Sequence, residues 1–442
     1  MKRVTTLSLL LVLATVAFTT TLHAGNWPHW RGPHYNGSSE EKGLPTTWSK
    51  KEQVVWSAPL PGPSASTPVV WGDRVFLSSN DLAGEQLQAL CFDRKSGKQL
   101  WKHNVAKGLR RDHRSSYSAP SPVTDGKIVV FFYGNGALAV YDLNGFEVWS
   151  KDIQKDYGVF AFGWTFASSP LLFDGKLYLQ VLQRDVPVDG RGFADRKNES
   201  YLLALDPTNG DELWRHIRPS QAKKESREAF TTPVPFEYRG KKELLVIGGD
   251  DLTGHDPATG KELWRWGTWN PTRIGHWRHV PSPVASEDVI LVCAPKRDPV
   301  YAIKAGGSGQ LTESSIAWIS KETREVSSDV PTPAFYDGDF FILSDVRKAL
   351  SRVDPRTGEV KWKIDTPGLQ KYEASPLAAD GKIYLINFVG EVVIVSADDG
   401  SIINQIDMGE GETRDFPVRS SIVASDGELF IRTNEELYCI RG

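Results

Sequence analysis

The apolar positions of this chain fall in short β-rich runs separated by turn residues at a regular spacing. One unit recurs: Ser/Thr-x-Pro, an apolar pair, an Asp-Gly turn, a β run, a second β run, then Asp-x-x-x-Gly and usually a Trp. The first copy opens at Ser66-Thr67-Pro68 and ends on Asp93, Gly97 and Trp101. The second runs from Ser118-Ala119-Pro120 through Asp125-Gly126 to Asp142, Gly145 and Trp149. The third has Ser168-Ser169-Pro170, Asp206, Gly210 and Trp214, and the fourth Thr231-Thr232-Pro233, Asp256, Gly260 and Trp264. The fifth is degenerate: Pro281-Ser282-Pro283, a Gly-rich turn at residues 306–309, and Trp318. The sixth has Pro331-Thr332-Pro333, Asp354, Gly358 and Trp362. The seventh has Ala374-Ser375-Pro376 and Asp399-Gly400 but no Trp. The eighth starts at Ser420-Ser421-Ile422, and the sequence stops after its third run.

Each piece has a physical reason. Pro cannot donate to a sheet ladder, so it belongs on an edge strand or at a strand's first residue. Asp-Gly between two apolar runs makes a tight hairpin, because both turn residues need positive φ. Asp-x-x-x-Gly suits a longer hairpin with its Gly left-handed. The Trp is a flat apolar group suited to the seam between neighbouring sheets, and burying it there stabilises the seam by roughly 2 to 3 kcal/mol. The unit is therefore a four-stranded antiparallel blade, with strands A to D from the inside out. The whole is an all-β, eight-bladed β-propeller. Seam positions are Trp56, Trp101, Trp149, Trp214, Trp264, Trp318 and Trp362. The eighth copy lacks strand D, and residues 53–57, which include Trp56, match it. The ring is expected to close with this segment beside the strand holding Cys439, which removes exposed edges. The regular repeat argues against a two-sheet sandwich or two separate β domains.

The first 24 residues read differently. Lys2 and Arg3 precede an apolar stretch at residues 7–18, then a polar segment ending at Ala24. That order is a secretory signal peptide, cleaved to leave Gly25 at the start. Residues 25–52 then form an N-terminal extension, and 53–442 a single propeller domain. The expected location is periplasmic or extracellular. No Cys follows the apolar stretch, so lipid anchoring is not expected, and no later run is apolar enough to span a membrane. Net charge is −3, so no basic field favours nucleic acid. The three cysteines, Cys91, Cys293 and Cys439, lie in separate apolar runs, as buried free thiols would.

Residues 26–33 (NWPHWRGP), residues 118–126 (SAPSPVTDG) and residues 429–440 (LFIRTNEELYCI) carry a family resemblance. From about Asn26 onward the chain resembles PQQ-type repeat propellers, a family that includes quinoprotein dehydrogenases and the outer-membrane-protein assembly lipoprotein. It is most similar to exported PQQ-like propellers abundant in planctomycete-type bacteria. The resemblance implies a propeller fold and export. In the dehydrogenases it implies pyrroloquinoline quinone at the axis between a disulfide of adjacent cysteines and a Trp, with calcium beside a catalytic Asp. This sequence has no adjacent cysteine pair and no matched calcium ligands. No kinase loop, nucleophile elbow or zinc motif is present either. No cofactor is expected, with PQQ and calcium as the alternative, and no catalytic residue is assigned.

Blade topology sorts the loops. The A–B and C–D turns lie on one face and are short. The B–C and D–A connections lie on the other and are long, where function usually sits. They carry Arg110, Arg111, Asp112, His113, Arg114 and Tyr117; an aromatic group ending in Trp164 and Phe166; Trp269, Arg273, His276, Trp277, Arg278 and His279; and Arg414, Asp415 and Arg419. Residues 183–200 form an insertion in blade 3. The candidate ligand-binding set is Arg114, Tyr117, Trp164, His276, Trp277, Arg278, His279 and Arg419. Arginine with aromatics recognises carboxylates, sulfates, sugars or peptides. The bland alternative is that the aromatics plug the channel and the arginines pair with local acids. The expectation is a monomeric, non-catalytic binding or scaffold propeller for a small molecule, glycan or envelope protein. The alternatives are a PQQ-dependent dehydrogenase-like protein and an envelope assembly factor.

Overall fold

The computed structural model describes residues 25–267, 269–296, 298–320, 326–409 and 416–442. Residues 1–24, expected from the sequence to be a signal peptide, and the loop residues Arg414 and Asp415 lie outside them.

Eight antiparallel sheets follow one another along the chain, seven built on four strands in sequential order and the eighth completed by the strand Val54–Pro59. The middle strands are buried along almost their whole length. Val289–Cys293 in blade 5 and Tyr201–Leu205 in blade 3 are fully buried runs. Both faces of a blade are covered by neighbours, so continuous apolar runs replace the alternation of a one-sided sheet. The outer strands face solvent, and there alternation returns, as in Glu147–Asp152 and Val360–Asp365. The ring closes as expected. Val54–Pro59 pairs antiparallel with Glu436–Arg441, placing Trp56 opposite Cys439. All three cysteines are free and buried.

Two details depart from the sequence expectation. In blade 2 the inner strand is Val123–Thr124, so the Pro that opens it is Pro122, preceded by Ser121, and the pair at Ala119-Pro120 lies one step earlier. In blade 4 the Gly-rich turn of the next copy adds a fifth strand: Gly309–Gln310 runs parallel to Glu262–Trp266.

The seam tryptophans show what the repeat encodes. Trp56, Trp101, Trp149, Trp214, Trp318 and Trp362 each donate the indole N–H to a carbonyl in the C–D turn of the following blade. The acceptors are Arg94, Leu143, Pro207, Pro257, Pro355 and Ala397, at 2.7 to 3.2 Å. The ring lies flat on that turn's glycine. At Gly260, φ is +73° and an added Cβ would stand 2.4 Å from Trp214, so both the turn and the close approach require glycine. Trp264 differs. The next copy has the degenerate turn, and Trp264 instead donates to Glu243 of its own blade at 2.7 Å.

Residues 25–52 form a strap across the A–B turn face. Trp27 pairs with the inner strand of blade 1 through two backbone hydrogen bonds to Val70. Pro28 accepts from Thr124 of blade 2, and Tyr35 donates to Leu172 of blade 3. Arg31 donates to Pro333 of blade 6 and Pro376 of blade 7 at 2.6 and 3.0 Å. Leu44 donates to Asp380, and Glu41 accepts from Gly427 of blade 8. Trp27, Leu44 and Trp48 share an apolar cluster with blades 1, 7 and 8. The inner strand of every blade is an edge, and the strap satisfies backbone groups there that no ladder reaches.

Candidate functional site

The innermost positions of the eight blades form a closed circle of hydrogen bonds. The residue before the strand-opening Pro is held extended by that Pro, and its N–H points along the circle with no ladder partner. In seven blades that residue is Ser or Thr, in the eighth Ser421 stands before Ile422, and each hydroxyl accepts the N–H of the preceding blade. The circle runs from Thr67 to Ser121, Ser169, Thr232, Ser282, Thr332, Ser375 and Ser421, and back to Thr67, at 2.9 to 3.2 Å throughout. Each hydroxyl is used as an acceptor. Its own proton has no partner among the described residues.

Above this circle stands a second one, two residues earlier in each blade: Ala65, Ala119, Ala167, Phe230, Val280, Val330, Glu373 and Arg419. Together with the hydroxyls, Ser282 aside, they line an axial cavity of about 170 Å³. Trp30 of the strap lines it from the A–B side. Arg114, Ser115, Trp164, Thr165 and Arg278 complete the lining from the D–A loops.

The loops hold these groups in place. Asp112 accepts from the backbone of Arg114 and Ser115 and from the backbone and hydroxyl of Thr165, at 2.6 to 2.9 Å, which ties the loop before blade 2 to the loop before blade 3. Burial pushes its carboxyl up, but these hydrogen bonds outweigh it and hold the pKa below the usual carboxylate value. Buried Glu373 accepts from Arg419 at 2.7 Å and meets Arg114 at 3.5 Å. Trp164 donates to Glu225 at 2.9 Å, with His113 edge-on to its ring. Arg278 is buried, yet its only carboxylate contact among the described residues is Glu225 at 3.8 Å, beyond hydrogen-bond range. The Nε of Arg114 and the indole N–H of Trp30 are buried without a hydrogen-bond partner. Among the lining residues, three arginines face one glutamate.

The sequence candidates thus divide. Arg114, Trp164, Arg278 and Arg419 meet at the axis. Tyr117 packs into the seam of blades 1 and 2. His276 is exposed on its loop, and Trp277 packs against the core of blades 4 and 5. His279 is buried against Trp269, and burial holds its pKa down at about 3. Sequence reasoning missed Trp30, Glu373 and the hydroxyls. The signal for the hydroxyls was present, because every copy has Ser or Thr before its Pro, or before Ile422 in the last.

The family model described as outer membrane protein assembly factor BamB matches residues 39–162 and 198–441. The chain belongs to this family of PQQ-type propellers. The break between the two matched stretches, residues 163–197, takes in the loop before blade 3, that blade's two inner strands and most of its insertion. Solved structures show the same fold at low identity. BamB from Moraxella catarrhalis is 13% identical, with 88% of this chain and 99% of that chain covered and a TM-score of 0.61. Quinohemoprotein alcohol dehydrogenase from Comamonas testosteroni is 13% identical, with 94% and 80% covered and a TM-score of 0.62. A europium-containing methanol dehydrogenase is 12% identical, with 95% and 98% covered and a TM-score of 0.65. No curated protein sequence matches the chain. No helix among the described residues is long and apolar enough to cross a membrane.

The quinone and metal of such dehydrogenases set a test for this axis. A divalent cation needs oxygen ligands, carboxylates above all. Glu373, the one lining carboxylate, already accepts from Arg419 and meets Arg114, and Glu225 behind Trp164 accepts that indole N–H. The remaining lining groups are hydroxyls, guanidinium groups and apolar side chains. This donor set does not fit a calcium–quinone pair, and the cysteines are one to a blade in blades 1, 5 and 8.

Proposed function

We propose that the protein is an exported, non-catalytic binding propeller that takes a small anion into the D–A mouth of its axial cavity. One observation carries this reading: Arg114, Arg278 and Arg419 converge on a cavity with a single lining carboxylate. Guanidinium groups bind carboxylate and phosphate oxygens through fixed forks of donors. Arg278 is the strongest anchor, because it is buried and its nearest carboxylate, Glu225 at 3.8 Å, stands outside hydrogen-bond range, with Asp329 acting on it only electrostatically. The strap closes the opposite side, so a guest enters from the loop face. Thermal shift with sulfate, citrate and benzoate tests the reading. At least one of them should raise the melting temperature of the wild type and leave Arg278→Ala unmoved. Equal shifts in both, or none in either, would overturn it.

The match to the assembly-factor family supports a second reading, in which the D–A face engages an envelope protein. Co-purification of a defined envelope partner from the native host, lost on substitution of Arg110 and Arg111 but kept in Arg278→Ala, would favour it.

A further inference from the structure

We infer that the guest is a single-ring carboxylic acid bearing oxygen substituents opposite its carboxylate, and that the circle of hydroxyls reads those oxygens. The inference rests on the binding reading above and names its ligand class. Three observations lead to it.

The first is size and wall chemistry. A cavity of about 170 Å³ is close to an engineered one of ~150 Å³ that holds benzene, so it admits one six-membered ring with small substituents. The waist is apolar: Ala65, Ala119, Ala167, Val280 and Val330, with Phe230, Trp164 and Trp30 offering flat faces. Such walls suit a ring and not an open-chain polyanion.

The second is the donor balance of the lower tier. All eight hydroxyl oxygens of the circle accept a backbone N–H from the neighbouring blade, and the seven that line the cavity are left with their protons to donate. The Trp30 indole N–H is buried and unpartnered. These groups call for acceptor oxygens in the guest, because a buried donor without an acceptor is costly.

The third is polarity along the axis. Among the lining side chains, the charged ones, Arg114, Arg278, Arg419 and Glu373, all stand in the upper tier. The lining of the lower tier is hydroxyl and indole; Arg31 lies behind it, turned onto the carbonyls of Pro333 and Pro376. The guest therefore carries its anion toward the loops and its neutral oxygens toward the strap.

Aromatic acids with ring hydroxyls and hexuronic acids share this chemistry, and the experiment separates them. Titration calorimetry on the whole purified protein uses 3,4-dihydroxybenzoate, glucuronate, benzoate, citrate and glucose. At least one of the first two should bind tenfold or more tightly than benzoate, citrate and glucose, and whichever wins identifies the source. Trp30→Phe keeps a ring but removes the indole N–H, and Thr332→Val removes one hydroxyl while nearly keeping the shape. Each should cut the advantage over benzoate to below threefold; an equal loss for benzoate and the oxygen-bearing ring, with the advantage kept, would overturn the reading of these donors. If the winning guest is the aromatic acid, it should quench tryptophan fluorescence, and Trp30→Phe should reduce that quenching and leave the Trp164 share. Circular dichroism and melting verify that each variant is folded, and Thr332→Ser stands in for a variant that is not, with its advantage retained. If benzoate and citrate bind through Arg278 but the oxygen-bearing rings bind no better, this inference fails and the binding function stands. If no carboxylate binds, both fail.

Discussion

Replacing Thr232 by Val isolates the circle of hydroxyls with little change of shape. Thr232 is buried, and its hydroxyl accepts the N–H of Ser169 at 3.2 Å. Val leaves that N–H without an acceptor on the inner edge of strand A, where no ladder partner exists. A buried donor stranded in this way costs about 1–3 kcal/mol, against about 0.5–1.5 kcal/mol for the loss of an ordinary hydrogen bond. Thr232→Ser keeps the acceptor and loses one methyl, about 0.8 kcal/mol. Equilibrium unfolding in guanidinium should rank wild type first, then Ser, then Val. Amide exchange supplies the sharper readout: the Ser169 N–H should remain protected in the Ser variant and lose protection in the Val variant. Full protection of Ser169 in Thr232→Val, with wild-type stability, would mean that the circle is a geometric coincidence with no energetic role.

Deleting the chain through residue 59 removes both the strap and the outer strand of blade 8, and should lower the melting temperature far more than deleting residues 186–197 of the blade 3 insertion, since loop length costs only ~0.6 kcal/mol per doubling. A reversed order would refute the closure scheme. Trp214→Ala should destabilise the fold by about 3–5 kcal/mol and leave ligand affinity per folded molecule unchanged, as read by denaturation and titration in parallel. For pH, burial holds His279 at about 3 in the folded state, below its ordinary value. An imidazole depressed in this way contributes stability above pH 6.5 that is lost as pH falls towards 3. The stabilities of His279→Phe and wild type should therefore converge on acidification by ~1.4 kcal/mol per pH unit between pH 6 and 4. Parallel stability–pH curves would contradict the buried neutral imidazole.

The blades were legible because turn chemistry and seam packing act locally. Gly260 must be glycine for its own φ and for Trp214, and both needs recur in most copies at one spacing. Ambiguity arose where the local signal doubled. In residues 118–122 two prolines follow serines within five positions, and only the distance back from Gly126 selects Pro122. Trp264 carries the seam pattern, yet it turns to Glu243 because its docking turn in the next copy is missing. The strap has no periodicity at all. Arg31 donates its terminal nitrogens to the carbonyls of Pro333 and Pro376, about three hundred residues away, which no local pattern encodes. The loop residues show the same limit. Arg278 and His279 are neighbours in sequence, but one lines the cavity and the other packs on Trp269. A loop without a repeat gives no rule for which side chain turns inward.

The most direct test of an anion site at the axis is calorimetric titration of the tightest-binding simple anion into wild type and Arg278→Ala at low salt. Truncating a buried charge-assisted contact usually costs ~2 to 5 kcal/mol of affinity. The account predicts at least a thirtyfold loss of affinity at a near-normal melting temperature. Wild-type affinity in Arg278→Ala, or a variant that unfolds while its folded fraction binds fully, would show that the arginines are structural plugs and that the axial cavity is not the binding site.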